Sequence, residues 1–223
     1  LKKAGIRVHL GGNIRGTSML PLLPKIKDND TVVMELSSWQ LQGFDESKIS
    51  PHIAIFTNLM PDHMNYYNNS MLKYFKDKSA IYSNQNKKDF IIIGESLKNK
   101  IKNIESKIII ANNKSVSPEW TTYLRGLHNA SNIACAVEAC RVYGLKESQI
   151  KKGLESFKGV TGRLEFVRTF DGISIYNDTC ATTPEALIAG IMAFACDLRC
   201  NPRLDRGSSL KKNSKLILIA GGT

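Results

Sequence analysis

Three short polar clusters each follow an apolar run, and their residue types suit chemistry. "MELSSWQ" carries Glu35, Ser37 and Ser38, "TNLMPDHM" carries Asn58, Asp62 and His63, and "GGN" carries Asn13. A carboxylate and an imidazole brought together could hold Mg²⁺ or Mn²⁺. Taken singly, each has a plainer use: Glu35 can be a surface carboxylate, and "PDH" can close an Asx-type turn. "GGNIRGTS" sets Gly11 and Gly16 at phosphate-loop spacing, but no lysine follows Gly16. It therefore fails as a Walker A motif, whose lysine reaches the β- and γ-phosphates. Backbone amides there could still meet an anion at a following helix.

The elements that must position these clusters are read from periodicity. "IRVHL", "TVVMEL", "HIAIF", "FIIIG" and "KIIIA" are short, β-branched and nearly continuous in apolar character, the pattern of strands buried on both faces. Between them "NSMLKYFKDKSAIYSNQ" puts Leu72, Phe75, Ala80 and Ile81 at helical spacing, and "ESLKNKIKNI" repeats Leu97, Ile101 and Ile104. Strands alternating with helices predict an α/β chain with a mostly parallel sheet. In such sheets the carboxyl ends of the strands border the ligand crevice, so three polar strand ends imply one shared site.

Further along, "HNASNIACAVEACRVYGL" reads as an alanine-rich helix ended by Gly144, and "KESQIKKGLESF" as a second helix that "KGVTG" breaks. "LEFVRTFDGISIYND" predicts two strands joined by a turn at Asp171-Gly172. "TTPEALIAGIMAFA" predicts a helix capped by Thr183 with Pro184 in its first position. "RCNPRLDRGSSLKKNS" is expected to be a surface loop and "KLILIAGG" a final strand. A domain boundary is placed near residue 160. The chain opens partway through an α/β unit and stops at "GGT" directly after a strand, so it is expected to be a fragment of a longer protein.

Composition limits the class. With 223 residues, 42% of them apolar, the chain can bury a core of one large or two smaller domains. Thirty-one Lys and Arg against 20 Asp and Glu give a net charge of +11, which suits an anionic ligand. Much of the excess is lysine scattered beside asparagine, as in "NQNKKD" and "KKNSK", the pattern of a solvated face and not of a nucleic-acid groove. No apolar run approaches the roughly 20 residues that cross a bilayer, so a cytoplasmic protein is expected. The five cysteines (Cys135, Cys140, Cys180, Cys196 and Cys200) form neither CxxC pairs nor zinc-finger spacings with histidine, and they read as free thiols with no metal.

"ELSSWQL", "TNLMPDHMNYY", "YFKDKSAIY", "LRGLHNASNIACAVEA", "GRLEF" and "YNDTCATTPEA" stand in one order across nearly the whole chain. Six ordered motifs of this kind resemble the Mur ligases, and within them the enzymes that join D-glutamate to UDP-N-acetylmuramoyl-L-alanine. The resemblance implies a central ATP-binding α/β domain over 1–160, with a mostly parallel sheet, and the start of a Rossmann-like C-terminal domain over 161–223. It implies Glu35 and His63 as Mg²⁺ ligands and Lys78 as a lysine whose carbamylated form helps bind the metal; without it, Lys78 would read as a solvated helix residue. By position, Asn13 and Ser37 match contacts to the UDP-muramoyl substrate, and Thr182 lies where the family touches the incoming amino acid. Asn129, Asn132, Arg163 and Asp178 match nucleotide-binding positions, although both asparagines could also cap a helix.

The activity so implied is ATP-dependent amide-bond formation through an acyl phosphate, in peptidoglycan precursor synthesis, by a monomer that binds small-molecule substrates only. Cys180 stands where many relatives have lysine and Gly162 where histidine is usual, so amino-acid recognition is expected to differ in detail. The family's phosphate loop and uridine-binding domain are missing from these residues, and so is most of the C-terminal domain, so the chain as it stands is expected to turn over nothing. Another Mur ligase, a folylpolyglutamate synthetase relative, or a non-catalytic anion-binding fragment are the alternatives.

Overall fold

A computed structural model of the chain describes residues 1–14, 16, 18–102, 104–195 and 215–220. Cys196, Cys200, the expected loop over 199–214 and the closing "GGT" lie outside the described residues. The chain divides into two compact units: Leu1–Val116 with Ser131–Gly153, and Ser117–Ala130 with Leu154–Thr223.

The first unit holds five strands: β1 (Val8–Gly12), β2 (Thr31–Glu35), β3 (Ile53–Phe56), β4 (Phe90–Gly94) and β5 (Lys107–Ala111). All pair in parallel, as the alternation of elements predicts, but they are divided between two sheets, β1-β2 and β3-β4-β5. The central strand β4 is buried on both faces. Ile91 and Ile93 pack with Ala54, Phe56, Tyr82, Leu97 and Ile101, while Ile92 faces Ala111, Ala134 and Cys135. Each such isoleucine contributes about 1.5–3 kcal/mol of burial. β2 departs from the expectation. Val32, Val33 and Met34 each stay more than a third exposed, because among the described residues β2 has a strand neighbour on one edge only.

Helix α1 (Ser38–Glu46) begins directly after β2. Ser37 caps it: the Ser37 Oγ accepts the Gln40 N–H, and the Gln40 side chain accepts the Ser37 N–H in return, so two orphan donors are satisfied. Helix α2 (Met71–Ser79) is capped by Ser70, whose Oγ accepts the Lys73 N–H. Its buried face is centred on Tyr74, and Leu72, expected to face inward, is 80% exposed. At 3.6 residues per turn, Leu72 stands roughly 110° from the middle of the face that Tyr74, Phe75 and Lys78 share.

The described residues of "ESLKNKIKNI", all but position 103, form no α-helix. Only Glu95–Leu97 forms a 3₁₀ turn, followed by one further turn in which the Lys100 and Ile101 N–H groups donate to Leu97 O. Leu97 and Ile101 are still the buried anchors, and one turn is enough to seat both.

Helix α3 (Leu127–Val142) starts in the second unit and continues from Ser131 in the first. It ends at Gly144, with φ +92°. The Leu145 N–H donates to Cys140 O and the Gly144 N–H to Arg141 O, a Schellman ending that only a residue tolerant of positive φ closes cheaply. Helix α4 (Glu147–Glu155) follows, tied back by Arg141, whose Nε and Nη2 donate to the two carboxylate oxygens of Glu147 at 2.7 and 2.9 Å.

In the second unit β6 (Glu165–Phe170) and β7 (Ile173–Asn177) form the expected antiparallel hairpin. Its turn residues Asp171 and Gly172 both have positive φ, the two-residue turn whose twist matches the strands. Helix α5 (Pro184–Ala195) opens as predicted, with Thr183 Oγ1 accepting the Ala186 N–H. Lys215–Ala220, expected to be a strand, has no regular structure, and Ile219 is 94% exposed. Without a paired neighbour among the described residues, its apolar β-branched run has no ladder to join.

Candidate functional site

The ends of β1 and β2 meet at their carboxyl termini. Gly12 pairs with Glu35 across the sheet, and the Asn13 N–H donates to the Glu35 carbonyl at 2.7 Å. Gly12 has φ +92°, and a Cβ there would run into the Glu35 backbone. Glycine is therefore what allows Asn13 and Glu35 to lie side by side. Ser37 stands two residues on, in the helix cap described above, and Asn13 and Glu35 are both exposed.

The segment after β3 folds into a tight turn over His63–Tyr67, in which His63 O accepts the N–H groups of Tyr66 and Tyr67. His63 has φ +54°, a left-handed conformation that costs a non-glycine residue about 1–3 kcal/mol unless its surroundings enforce it. Asp62 enforces it in part, its Oδ1 accepting the His63 N–H at 2.8 Å. The imidazole lies against Trp39 of α1, ring centroids 4.5 Å apart. Asn58, at the start of the segment, approaches Thr57 Oγ1 at 3.4 Å and reaches none of the charged groups.

Lys78, on α2, is half-buried, not solvated. Its ammonium lies over the Tyr74 ring, 4.9 Å from the centroid. Burial pushes its pKa below the usual lysine value, while the carboxylates of Asp62 and Glu35 pull the other way. The same surroundings drive the Tyr74 phenol up to about 12, burial first and the Asp62 charge second. Glu35, Asp62 and Lys78 thus share one electrostatic neighbourhood, with His63 adjoining it through Asp62. Among the described residues no group of three or more His, Cys, Asp or Glu stands close enough to hold a metal ion by itself.

The second unit gathers Asn129, Arg163, Asp178 and Thr182, whereas Asn132 lies on the part of α3 that belongs to the first. Asn129 donates its Nδ2 to Arg125 O at 2.8 Å, a tie to the preceding turn and not the N–H-accepting cap foreseen for it, and Asn132 is exposed. Asp178 is fixed: its Oδ1 accepts the Leu164 N–H at 3.0 Å, and Gly190 packs so near its carboxylate that a Cβ there would lie 2.7 Å from Oδ2. Arg163 and Thr182 are exposed, free to meet a ligand. Gly162, with φ +77°, packs beside Cys180, where a Cβ would lie 2.9 Å from Sγ. Cys135, Cys140 and Cys180 are free thiols.

Residues 13–120 match the family model of the Mur ligase middle domain. The chain is 32% identical over 217 residues to the UDP-N-acetylmuramoylalanine--D-glutamate ligase of Clostridium perfringens, covering 87% of this chain and 46% of that protein. It is 30% identical over 244 residues to the enzyme of the same name from Clostridium beijerinckii, covering all of this chain and 48% of that one. The chain is similar to Mur ligases along its whole length. Among solved structures it resembles MurF of Thermotoga maritima in complex with ADP, with a TM-score of 0.68 at 16% identity over 86% of this chain and 52% of that one. MurF of Acinetobacter baumannii gives 0.67 at 17% identity, over 87% of this chain and 55% of that one. These two carry the likeness of fold. The chain spans about half the length of the curated relatives it matches.

The matched middle-domain segment includes Asn13, Glu35, Ser37, His63 and Lys78, and stops before Asn129. Three residues make contacts or exert charges that sequence reasoning does not give them. Asp62 looks like a loop residue, yet its charge acts on Lys78 more strongly than that of Glu35. Trp39 looks like a core residue but is 42% exposed beside His63. Arg125 is buried, with its guanidinium 5.4 Å from the ring centroids of both Tyr176 and Phe194. Only Trp39 left a signal, since a tryptophan four residues after the polar strand end at Glu35 is placed to reach the same crevice. Among the described residues no helix is long and apolar enough to cross a membrane.

Proposed function

We propose that this chain contributes the middle domain, over 1–160, and the start of the C-terminal domain, over 161–223, of a cytoplasmic, monomeric ligase that adds D-glutamate to UDP-N-acetylmuramoyl-L-alanine. The observation that carries the reading is the half-buried Lys78 in the field of Asp62, in the loop after β3, and of Glu35, at the carboxyl end of β2, in a chain about a third identical to enzymes named for that reaction. In the reaction the alanyl carboxylate oxygen attacks the γ-phosphorus of ATP, giving an acyl phosphate and ADP. The amine of D-glutamate then attacks the acyl carbon, and the tetrahedral adduct expels phosphate as the amide forms.

Each residue has a part in this scheme. Asn13 and Ser37 would orient the muramoyl substrate so that its carboxylate faces the phosphoryl donor. Arg163 would pair with phosphate oxygens, for which its planar fork is suited, and Asp178, held by the Leu164 N–H, would take the ribose or adenine side with Asn129 and Asn132. Thr182 would meet the incoming amino acid. The lowered pKa of Lys78 raises its share of free amine. That amine can add to the carbon of CO₂ and release a proton, leaving an anionic carbamate.

Such a set fits Mg²⁺, which needs only one or two protein carboxylates beside water and phosphate oxygens: Glu35 and His63, with carbamylated Lys78, would hold it. When bound, its charge offsets the charge that builds on the transferring phosphoryl group.

The test is phosphate release by the complete gene product supplied with UDP-N-acetylmuramoyl-L-alanine, ATP and Mg²⁺. D-Glutamate should support release. Release with L-lysine or meso-diaminopimelate but not with D-glutamate overturns the substrate assignment. His63→Ala should abolish turnover in a folded protein, and near-normal turnover rejects the metal role.

A further inference from the structure

Three elements converge on His63, and one side chain touches both the ring and its support. Trp39 projects from the first turn of α1, four residues after Glu35 at the end of β2. Its indole meets the His63 imidazole at 4.5 Å between centroids, tilted by 46°, and meets the Tyr66 ring edge-on at 5.6 Å. Tyr66 is held in turn: its hydroxyl accepts from Gln42 Nε2 at 3.3 Å, one turn along α1 from Trp39. The same Gln42 Nε2 donates to Asp77 Oδ2 at 2.6 Å, on α2 beside Lys78, and the Tyr67 hydroxyl donates to that same oxygen at 3.1 Å. The elements that present Glu35, His63 and Lys78 are thus tied by one bracket of aromatic and amide groups.

The imidazole itself lacks the usual tether. A metal-binding histidine as a rule donates its second ring nitrogen to a carboxylate or carbonyl, which fixes the ring's direction. Here the nearest carboxylate oxygen, Asp62 Oδ2, is 3.5 Å from His63 Nε2. Asp62 spends its other oxygen on the His63 backbone N–H. The backbone is therefore set by Asp62, and the ring plane by the face of Trp39.

We infer that Trp39 is a positioning residue, whose indole face replaces the missing hydrogen bond and holds the His63 imidazole in the direction from which it can bind a divalent cation. The inference rests on the reading of His63 as a metal ligand given above. It concerns binding and not turnover, so it is testable with the metal alone on the chain as it stands.

The chain has four histidines, so their imidazole Hε1 and Hδ2 resonances are few, and His63→Gln assigns the pair from His63. Mn²⁺ is titrated into the protein, and the broadening of that pair gives an apparent Kd. Trp39→Phe, which keeps a flat ring, should stay within about twofold of the wild-type Kd. Trp39→Leu and Trp39→Met, which keep apolar bulk without a flat face, should weaken binding about tenfold, the lower end of what loss of an outer-shell partner costs. Circular dichroism identifies which of the two folds, and the result is read from whichever does. A wild-type Kd in a folded Trp39→Leu or Trp39→Met variant overturns the inference while leaving the metal reading intact. Failure of Mn²⁺ to broaden the His63 pair in the wild type overturns the metal reading, and this inference falls with it.

Discussion

Gly12→Ala tests whether the junction of β1 and β2 sets the position of Glu35. Two costs follow from the backbone. At φ +92° an L-residue pays about 1–2 kcal/mol for the left-handed conformation. The added Cβ would also sit about 1 Å inside the closest ordinary approach to the Glu35 carbonyl oxygen. Backbone, not a flexible side-chain tip, is what it meets, so the strands must separate by about that distance. The Asn13 N–H to Glu35 O bond is lost with it, and both side chains move relative to Lys78.

A misplacement of about 1 Å costs a reaction on the order of 100-fold. Gly5→Ala is the control: Gly5 has φ +81° but nothing within 4 Å of a built Cβ, so it carries the conformational cost without the collision. In the complete gene product, thermal melts should move down in both variants, and further in Gly12→Ala. kcat/KM for phosphate release should fall about 100-fold in Gly12→Ala alone. Equal activity in the two variants would refute the claim that this glycine positions the site.

Three further outcomes are expected. Ile92→Ala, which empties a fully buried position against Ala111, Ala134 and Cys135, should cost about 2–5 kcal/mol in chemical denaturation; a loss below about 1 kcal/mol would mean that β4 is not the centre of the core. Asp30 accepts from the Lys27 N–H, His9 and Arg7, which hold its carboxyl below the ordinary 3.8. Its stabilisation is present above pH 3.8 and drains away as pH falls through the lowered value, because the unfolded carboxylate takes up a proton first. Asp30→Asn should therefore lower the melting temperature at neutral pH and flatten its acid dependence below pH 4, and parallel melting profiles would contradict this. Burial pushes the Cys135 thiol up to about 11, whereas Cys180 is exposed. Brief alkylation at pH 8 followed by mass mapping should label Cys180 and spare Cys135; the reverse order would reject the burial assigned to α3.

The features legible in the sequence are those written in local rules. Strands β1 to β5 follow from apolar runs, the β6–β7 turn from Asp171-Gly172, and the start of α5 from Thr183-Pro184, because turn and cap chemistry acts over two to four residues. The errors fall where spacing and environment disagree. Leu97, Ile101 and Ile104 have helical spacing, yet anchoring Leu97 and Ile101 needs only a turn. Leu72 fits the inward face by spacing, but α2 rotates so that Tyr74 is buried instead. Lys215–Ala220 has the composition of a strand and no partner among the described residues with which to form one.

The candidate site divides along the same line. Asn13, Glu35 and His63 can be picked out one by one because a polar residue at a strand end is locally conspicuous, whereas the state of Lys78 is a property of its neighbours. Nothing within α2 marks this lysine: Lys73 and Lys76 share the helix, and both are exposed. What separates Lys78 is that helical geometry sets it one turn beyond Tyr74, which buries its stem, while the turn after β3 brings up Asp62 and the end of β2 brings up Glu35. Those charge interactions join residues 16 and 43 positions apart in the chain, distances over which no pattern of spacing in one sequence speaks. The residue that sequence reasoning treats as solvated is therefore the one whose chemistry depends most completely on the fold.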